Sequence, residues 1–169
     1  MKRIVIVGSG GSGKSVLALR LGSLLDIPVV HLDAVHWKPG WVAPPRAEWQ
    51  ETVQQLVQAD SWIMDGNYGG TFELRFQPAD TIVFLDLPRT LCAWRANKRR
   101  LLYFGRHRPD MAPGCPEKLD WQFLRWIWTY PRLHRPRLLE LLDEFSHNRH
   151  VHRLCSPKEV RELIKSVGG

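Results

Sequence analysis

The chain has 169 residues, 44% hydrophobic and 24% charged, which suits one globular domain with a full core and is short for two. Its longest apolar runs, residues 4–7 and 81–85, fall far short of the roughly 20 residues that a membrane-spanning helix needs. Met1-Lys2-Arg3 leads directly into a strand-like segment, leaving no room for a signal peptide, so no membrane partner is expected and the cytoplasm is the expected compartment. Cys92, Cys115 and Cys155 are scattered without paired spacing, which argues against a disulfide framework or a structural zinc site.

The net charge of +7 is unevenly placed: residues 89–137 hold ten Arg and two Lys against Asp110, Glu117 and Asp120, and the remainder is slightly acidic. Guanidinium forks match phosphate oxygens, so this block suits a polyanionic partner, the phosphates of a nucleotide and of a nucleic acid alike.

Taken in chain order, Arg3-Ile4-Val5-Ile6-Val7 reads as a buried strand closed by glycines. Lys14 to Leu25 has the apolar spacing of a well-covered helix. Ile27 to Leu32 is a second strand followed by Asp33, and a loop marked by proline and tryptophan runs from Trp37 to Pro45. Arg46 to Ala59 is a helix with Trp49, Val53, Leu56 and Val57 on one side. Ser61 to Met64 and Thr81 to Leu85 are further strands, ending in Asp65-Gly66-Asn67-Tyr68 and Asp86-Leu87-Pro88. A basic helix from Arg89 to about Tyr103 precedes Gly105 to Pro116, whose Gly, Pro and Arg content predicts an exposed, mobile excursion. Glu117 to Phe145 is helical in pattern, with Pro131 and Pro136 placed to break or kink it. A strand at His150 to Leu154 and a helix from Pro157 to Val167 follow. Strands alternating with helices predict one α/β domain over 1–169, a parallel sheet covered on both faces.

Gly8-Ser9-Gly10-Gly11-Ser12-Gly13-Lys14-Ser15 matches G-x-x-x-x-G-K-[ST] in full, between a predicted strand and a predicted helix, with Val16 next. Glycines let successive backbone N–H groups converge on phosphate oxygens, and the helix N-terminus adds a favourable field. Lys14 would reach the β- and γ-phosphates of a nucleoside triphosphate, and the Ser15 hydroxyl would bind Mg²⁺.

Ligands of open parallel sheets bind beyond the carboxyl ends of the strands, where Asp33, Asp65 and Asp86 fall. Asp65 is read either as an acid that orients Mg²⁺ through water or as a turn cap. Asp86 is read as the cap of the next helix. Asp33 is placed to position an acceptor hydroxyl and take its proton, or else to close the strand with a structural hydrogen bond. His31 and His36 are read as structural or merely exposed.

Arg95, Lys98, Arg99 and Arg100 fall within two turns of one helix, and Arg106 and Arg108 lie in the Gly/Pro-rich excursion. Arginines on a mobile segment beside a phosphate loop describe a lid that excludes water and holds the migrating phosphoryl group; a solvated basic face is the bland reading. Trp121, Trp126, Trp128, Phe123 and Tyr130 are assigned to core packing, with Trp128 and Leu124 facing inward, ahead of base stacking beside Arg125, Arg132, Arg135 and Arg137.

With these residues in order, the chain resembles the nucleoside-monophosphate-kinase-like P-loop proteins, and more narrowly the adenylate-kinase-related proteins called DNA topology modulation proteins. The resemblance is carried by His31-Leu32-Asp33, Trp62-Ile63-Met64-Asp65-Gly66-Asn67-Tyr68, Phe84-Leu85-Asp86-Leu87-Pro88-Arg89 and Arg108-Pro109-Asp110-Met111. It implies a five-stranded parallel sheet in the order 2-3-1-4-5, a lid after the fourth strand over roughly residues 104–117, and ATP as phosphoryl donor. Asp65-Gly66 matches the adenylate-kinase Asp-Gly pair, but Asn67-Tyr68 replaces the Phe-Pro-Arg that follows it there. Arg75 is a possible replacement for that arginine, which holds an acceptor phosphate. Asp33 is similar to the acid that binds an acceptor hydroxyl in shikimate and gluconate kinases, and Arg106-His107-Arg108-Pro109 looks like the lid arginines of shikimate kinase.

The leading expectation is therefore an ATP- and Mg²⁺-dependent small-molecule kinase. Lys14, Asp33, Arg100 and Arg108 are its expected catalytic groups, residues 8–16 hold ATP, and Ser15 and Asp65 hold the metal. Asp33, Asp65, Asn67 and Arg75 are expected at the acceptor. A nucleotide-dependent DNA-binding protein and an ATPase with water as nucleophile are the alternatives. Monomer and homodimer both stay open.

Overall fold

The structure is a computed structural model that describes residues 1–103, 111–116 and 120–168. Strands β1 (Arg3–Gly8), β2 (Val29–His31), β3 (Trp62–Asp65), β4 (Thr81–Leu85) and β5 (His150–Leu154) form one parallel sheet in the order β2-β3-β1-β4-β5. The expected fold and strand order are those observed.

Side chains alternate across the central strand, as period-two geometry demands. Ile4 and Ile6 enter one apolar layer with Leu17, Leu21 and Leu163. That layer lies under α1 (Lys14–Leu25) and α8 (Pro157–Gly168). Val5 and Val7 enter the opposite layer with Trp49, Val53, Phe76, Leu138 and Leu142. Its cover is α3 (Arg46–Leu56), the short α4 (Phe72–Phe76) and α7 (Arg135–Ser146). Burial on both faces explains why the strands read as unbroken apolar runs. A smaller cluster of Leu87, Cys92, Ala96 and Ile127 joins α5 (Arg89–Leu102) to α6 (Trp121–Leu133).

Three local departures from the sequence expectation matter for the site. The second strand stops at His31, and Leu32–His36 forms a short helix, α2. Leu32 is wholly buried in the core and turns the chain inward there, so Asp33 sits in a first helical turn rather than at a strand end. The helical stretch over residues 117–145, expected to break or kink at Pro131 and Pro136, divides at one place in its described part, where two helices meet at His134. Pro136, at the start of α7, lacks an N–H and its ring would collide with the carbonyl four residues back, so α6 cannot run on; Pro131 is tolerated inside α6. Finally, Trp121 and Trp128 are 72% and 48% exposed, which corrects their assignment to the core. Arg89 lies 4.3 Å from the ring centre of Trp128. No helix among the described residues is long and apolar enough to cross a membrane.

Candidate active site

Strand register gathers the site. His31 pairs with Asp65, Asp65 with Ile6, and Gly8 with Leu85, so the carboxyl ends of β2, β3, β1 and β4 open at one edge.

Beyond β1 the chain turns with the Ser12 N–H on Ser9 O at 3.2 Å and enters α1 at Lys14. Two glycines are obligatory here. At Gly8 (φ +146°) a Cβ would stand 2.6 Å from Leu85 O, and at Gly11 (φ +75°) 2.2 Å from Cys92 O. The α5 backbone thus packs directly on the loop and fixes its shape. Lys14 Nζ donates to Gly8 O at 3.0 Å and to Ser9 O at 2.9 Å, bridging the loop mouth. Burial lowers the Lys14 pKa, and the fields of Asp33 and Asp65 oppose that shift. An anion seated in the loop would supply the counter-charge. The hydroxyls of Ser9 and Ser12 are buried with no hydrogen-bond partner among the described residues. Buried polar groups require partners, and phosphate oxygens in the loop would provide them.

Ser15 Oγ donates to Asp65 Oδ2 at 2.8 Å, while Asp65 Oδ1 meets His31 Nδ1 at 2.5 Å. Mg²⁺ in nucleotide sites takes one or two protein oxygens and fills its shell with water and phosphate. A hydroxyl backed by a buried carboxylate fits that demand. Among the described residues no group of three or more His, Cys, Asp or Glu is placed to hold a metal, so substrate oxygens would have to complete the shell.

Asp33 Oδ1 accepts the Tyr68 hydroxyl at 2.6 Å. Burial, the Asp33 charge and this hydrogen bond push the Tyr68 phenol far above its ordinary pKa, so it stays a neutral donor. His36 forms the hub of an aromatic group, with ring centres 5.0 Å from Trp37, 4.6 Å from Trp49 and 4.5 Å from Tyr68. Trp41 stands edge-on to Trp37 at 5.6 Å. It projects from a tight turn closed by paired hydrogen bonds between Lys38 and Val42. The turn is tied to the segment 111–116 by Gly40 N–H on Gly114 O (2.9 Å), Trp41 Nε1–H on Pro116 O (3.2 Å) and the Cys115 thiol on Lys38 O (3.3 Å).

A cavity of about 1200 Å³ runs across the site. The phosphate loop, Asp33, Asn67, Tyr68, Trp37 and Trp41 line it, as do Arg95 and Arg99 from α5 and Phe123 and Trp126 from α6. Val16, Leu19, Pro157, Val160 and Ile164 form an apolar wall against α8.

Of the expected site residues, 10–16, Asp33 and Asn67 line this cavity; Gly8 and Ser9 accept from Lys14, and Asp65 accepts from Ser15. Asn67 Oδ1 accepts the Gly8 N–H at 3.0 Å and anchors the loop to β3. Arg75 is corrected: it is fully buried, absent from the cavity wall, and binds carbonyls instead. Its Nη1 donates to Gly66 O (3.0 Å), Nη2 to Asn67 O (2.7 Å) and Tyr68 O (3.3 Å), and Nε to Thr71 (3.3 Å). It holds the 66–68 turn. Arg100 is not among the described residues that line the cavity, where α5 places Arg95 and Arg99; Arg95 Nη1 donates to Ser12 O at 3.3 Å. Their spacing of four, on the same side as buried Cys92 and Ala96, was the available signal. Asp86 does not cap α5 but pairs with Arg135 (2.8 Å) and Arg153 (2.7 Å), giving Arg135, within the basic block, a structural role. Arg106, His107 and Arg108, with most of the expected lid, lie outside the described residues. His31, Tyr68, Trp37 and Trp41 were not among the expected site residues; the positive φ of Tyr68 and Trp41 leaves no trace in composition.

No protein-family model and no curated protein matches this chain. Solved structures do. A gluconokinase from Sinorhizobium meliloti 1021 superposes with TM-score 0.54 at 18% identity, over 98% of this chain and 89% of that one. A shikimate kinase from Acinetobacter baumannii in complex with shikimate superposes with TM-score 0.57 at 17% identity, over 99% and 90%. The chain shares the fold of these two kinases.

Proposed function

We propose that the chain is an ATP-dependent phosphotransferase acting on a small-molecule hydroxyl. The observation that carries this reading is the joint opening of two devices into one cavity: the phosphate loop with Lys14, and Asp33 with its hydroxyl donor Tyr68. A pure ATPase has no need of the second. The likeness to a gluconokinase and a shikimate kinase supports it at the level of fold.

In this mechanism the loop N–H groups, Ser9, Ser12 and Lys14 seat the triphosphate, and Arg95 and Arg99 balance its charge from α5. Arg108 is assigned the lid position by sequence. Ser15, with Asp65 behind it, would hold Mg²⁺, which would supply charge neutralisation to the triphosphate. Asp33 orients the acceptor O–H. As the new O–P bond forms and the bond from the γ-phosphorus to the bridging oxygen breaks, Asp33 takes the hydroxyl proton and ADP leaves. The deciding experiment follows ADP formation over a panel of hydroxyl compounds, nucleosides and sugar acids included, with Lys14→Ala as control. Acceptor-stimulated turnover that Lys14→Ala abolishes is expected, and ATP binding unaffected by that substitution would overturn the reading.

A second reading, contact with nucleic acid, has one observation in its favour: exposed Trp121 and Trp128 on α6 beside Arg125 and Arg132, with Arg89 over the Trp128 ring. Tight, ATP-dependent duplex binding that weakens steeply with salt would favour it over the kinase.

A further inference from the structure

We infer that the acceptor is an uncharged hydroxyl compound with a flat apolar face, of nucleoside or pyranose type, and not a phosphate monoester or a carboxylate. The inference rests on the kinase reading and names its substrate class.

The first argument is charge. Away from the glycine-rich loop and helices α1, α5 and α8, the charged residues of the described cavity wall are two carboxylates, Asp33 and Asp120. An ionised carboxylate only accepts hydrogen bonds; one Asp33 oxygen takes the Tyr68 hydroxyl, and the other is left to an acceptor O–H. The cations nearby are engaged elsewhere. Arg75 is buried against the carbonyls of residues 66–68 and the Thr71 oxygens. Lys38 pairs with Glu48 at 2.9 Å. Arg95 donates to Ser12 O of the glycine-rich loop, and Arg99, one turn further along α5, lies close enough to Lys14 for its charge to lower that pKa. His36 is held neutral by burial. An anionic acceptor would meet Asp33 and lose its hydration against rings without a compensating charge from these residues.

The second argument is shape. Trp37, Trp41, Tyr68, Phe123 and Trp126 line the cavity. Indole rings stack on planar bases and on the C–H faces of pyranoses, which have no charge to desolvate. The third argument is independent of both. Among the described residues, three that are not glycine hold positive φ: Asp26, Trp41 (+66°) and Tyr68 (+31°). Asp26 is a helix C-cap, where this conformation is common. The other two are bulky aromatics that line the same cavity as Asp33, and backbone strain of that kind persists where the surrounding structure fixes a side chain for use.

The test titrates the protein, loaded with Mg²⁺ and a non-hydrolysable ATP analogue, with matched pairs: adenosine and AMP, uridine and UMP, methyl glucoside and methyl glucuronide. Tryptophan fluorescence reads binding, and ADP release with ATP reads transfer. At least one neutral member is expected to bind roughly tenfold or more tightly than its anionic partner and to be phosphorylated; the pair that responds tells nucleoside from pyranose. Trp41→Leu should weaken that binding by about tenfold with analogue affinity unchanged, and Trp37→Leu serves if the first variant melts early. Tighter binding by the anionic member of any pair, or no neutral member binding at millimolar concentration, overturns the inference. If the analogue itself fails to bind, or binds Lys14→Ala equally well, it is the kinase reading that fails.

Discussion

Tyr68 reaches Asp33 with a 2.6 Å hydrogen bond from a backbone turned to φ +31°, and Arg75 beneath it binds three successive carbonyls, those of residues 66, 67 and 68. The orientation of the proposed base is therefore set by a residue thirty-five positions away in sequence, which is itself held by a buried cation.

If Asp33 positions and deprotonates the acceptor, Asp33→Asn should keep ATP·Mg²⁺ affinity within about twofold and lower acceptor-dependent kcat by a hundredfold or more. Tyr68→Phe removes only the orienting donor and should cost about tenfold in kcat/KM for the acceptor. Steady-state kinetics with the acceptor varied against saturating ATP checks both; equal transfer rates in Asp33→Asn would move the acceptor site elsewhere.

Asp65 stands behind Ser15 and beside His31. Asp65→Asn should therefore raise the Mg²⁺ concentration needed for half-maximal rate, by about tenfold, and leave the acceptor KM nearly unchanged. The contrast with Asp33→Asn separates metal from acceptor, and a Mg²⁺ titration that superposes on the parent refutes the assignment.

Arg75→Met removes the Arg75 donor from the carbonyls of Gly66 and Asn67, while Tyr68 O keeps the Thr71 N–H and hydroxyl. Each carbonyl that loses its donor costs about 1–3 kcal/mol, so a fall in stability of roughly 2 kcal/mol or more is expected in urea unfolding. Arg75→Lys should recover little, because a compact ammonium cannot span the turn. A variant of parental stability with only a raised acceptor KM would restore Arg75 to the binding site.

Burial lowers the His36 pKa below its ordinary 6.5, against an opposing field from Asp33. In the window between the folded and unfolded values the unfolded chain binds more protons, so stability rises with pH there and is lost as pH falls from about 6.5. His152 is shifted the same way, by burial and by His150. His36→Phe should flatten part of this acid limb and leave the share of His152, as unfolding free energies measured from pH 5 to 8 would show. An unchanged slope would mean that His36 is not titrating in this range.

The phosphate loop was legible in sequence because its mechanism fixes residue type and spacing together, at Gly8, Gly13, Lys14 and Ser15, and the sheet was legible because both of its faces are buried. The acceptor side was not. Asp33 was found, but its helix was missed, since a single buried Leu32 ends the strand. Arg75 was misjudged because an arginine beside Asp-Gly reads as a phosphate ligand until its carbonyl partners are seen. The turn at residues 38–42 shows in sequence only as proline and tryptophan, with nothing to reveal that its Trp41 lines the same cavity as Asp33.

That turn is joined at its ends by two backbone hydrogen bonds and is separate in sequence from the glycine-rich loop of residues 8–15. On the proposed function, choice of acceptor and grip on the donor would reside in separate parts of the chain. A graft confined to residues 38–42 would exchange the ring offered to the acceptor while the triphosphate cradle, built on Gly8, Gly11 and the α5 backbone, stayed as it is. Such a partition lets one scaffold be refitted to new alcohols by replacing a handful of surface residues.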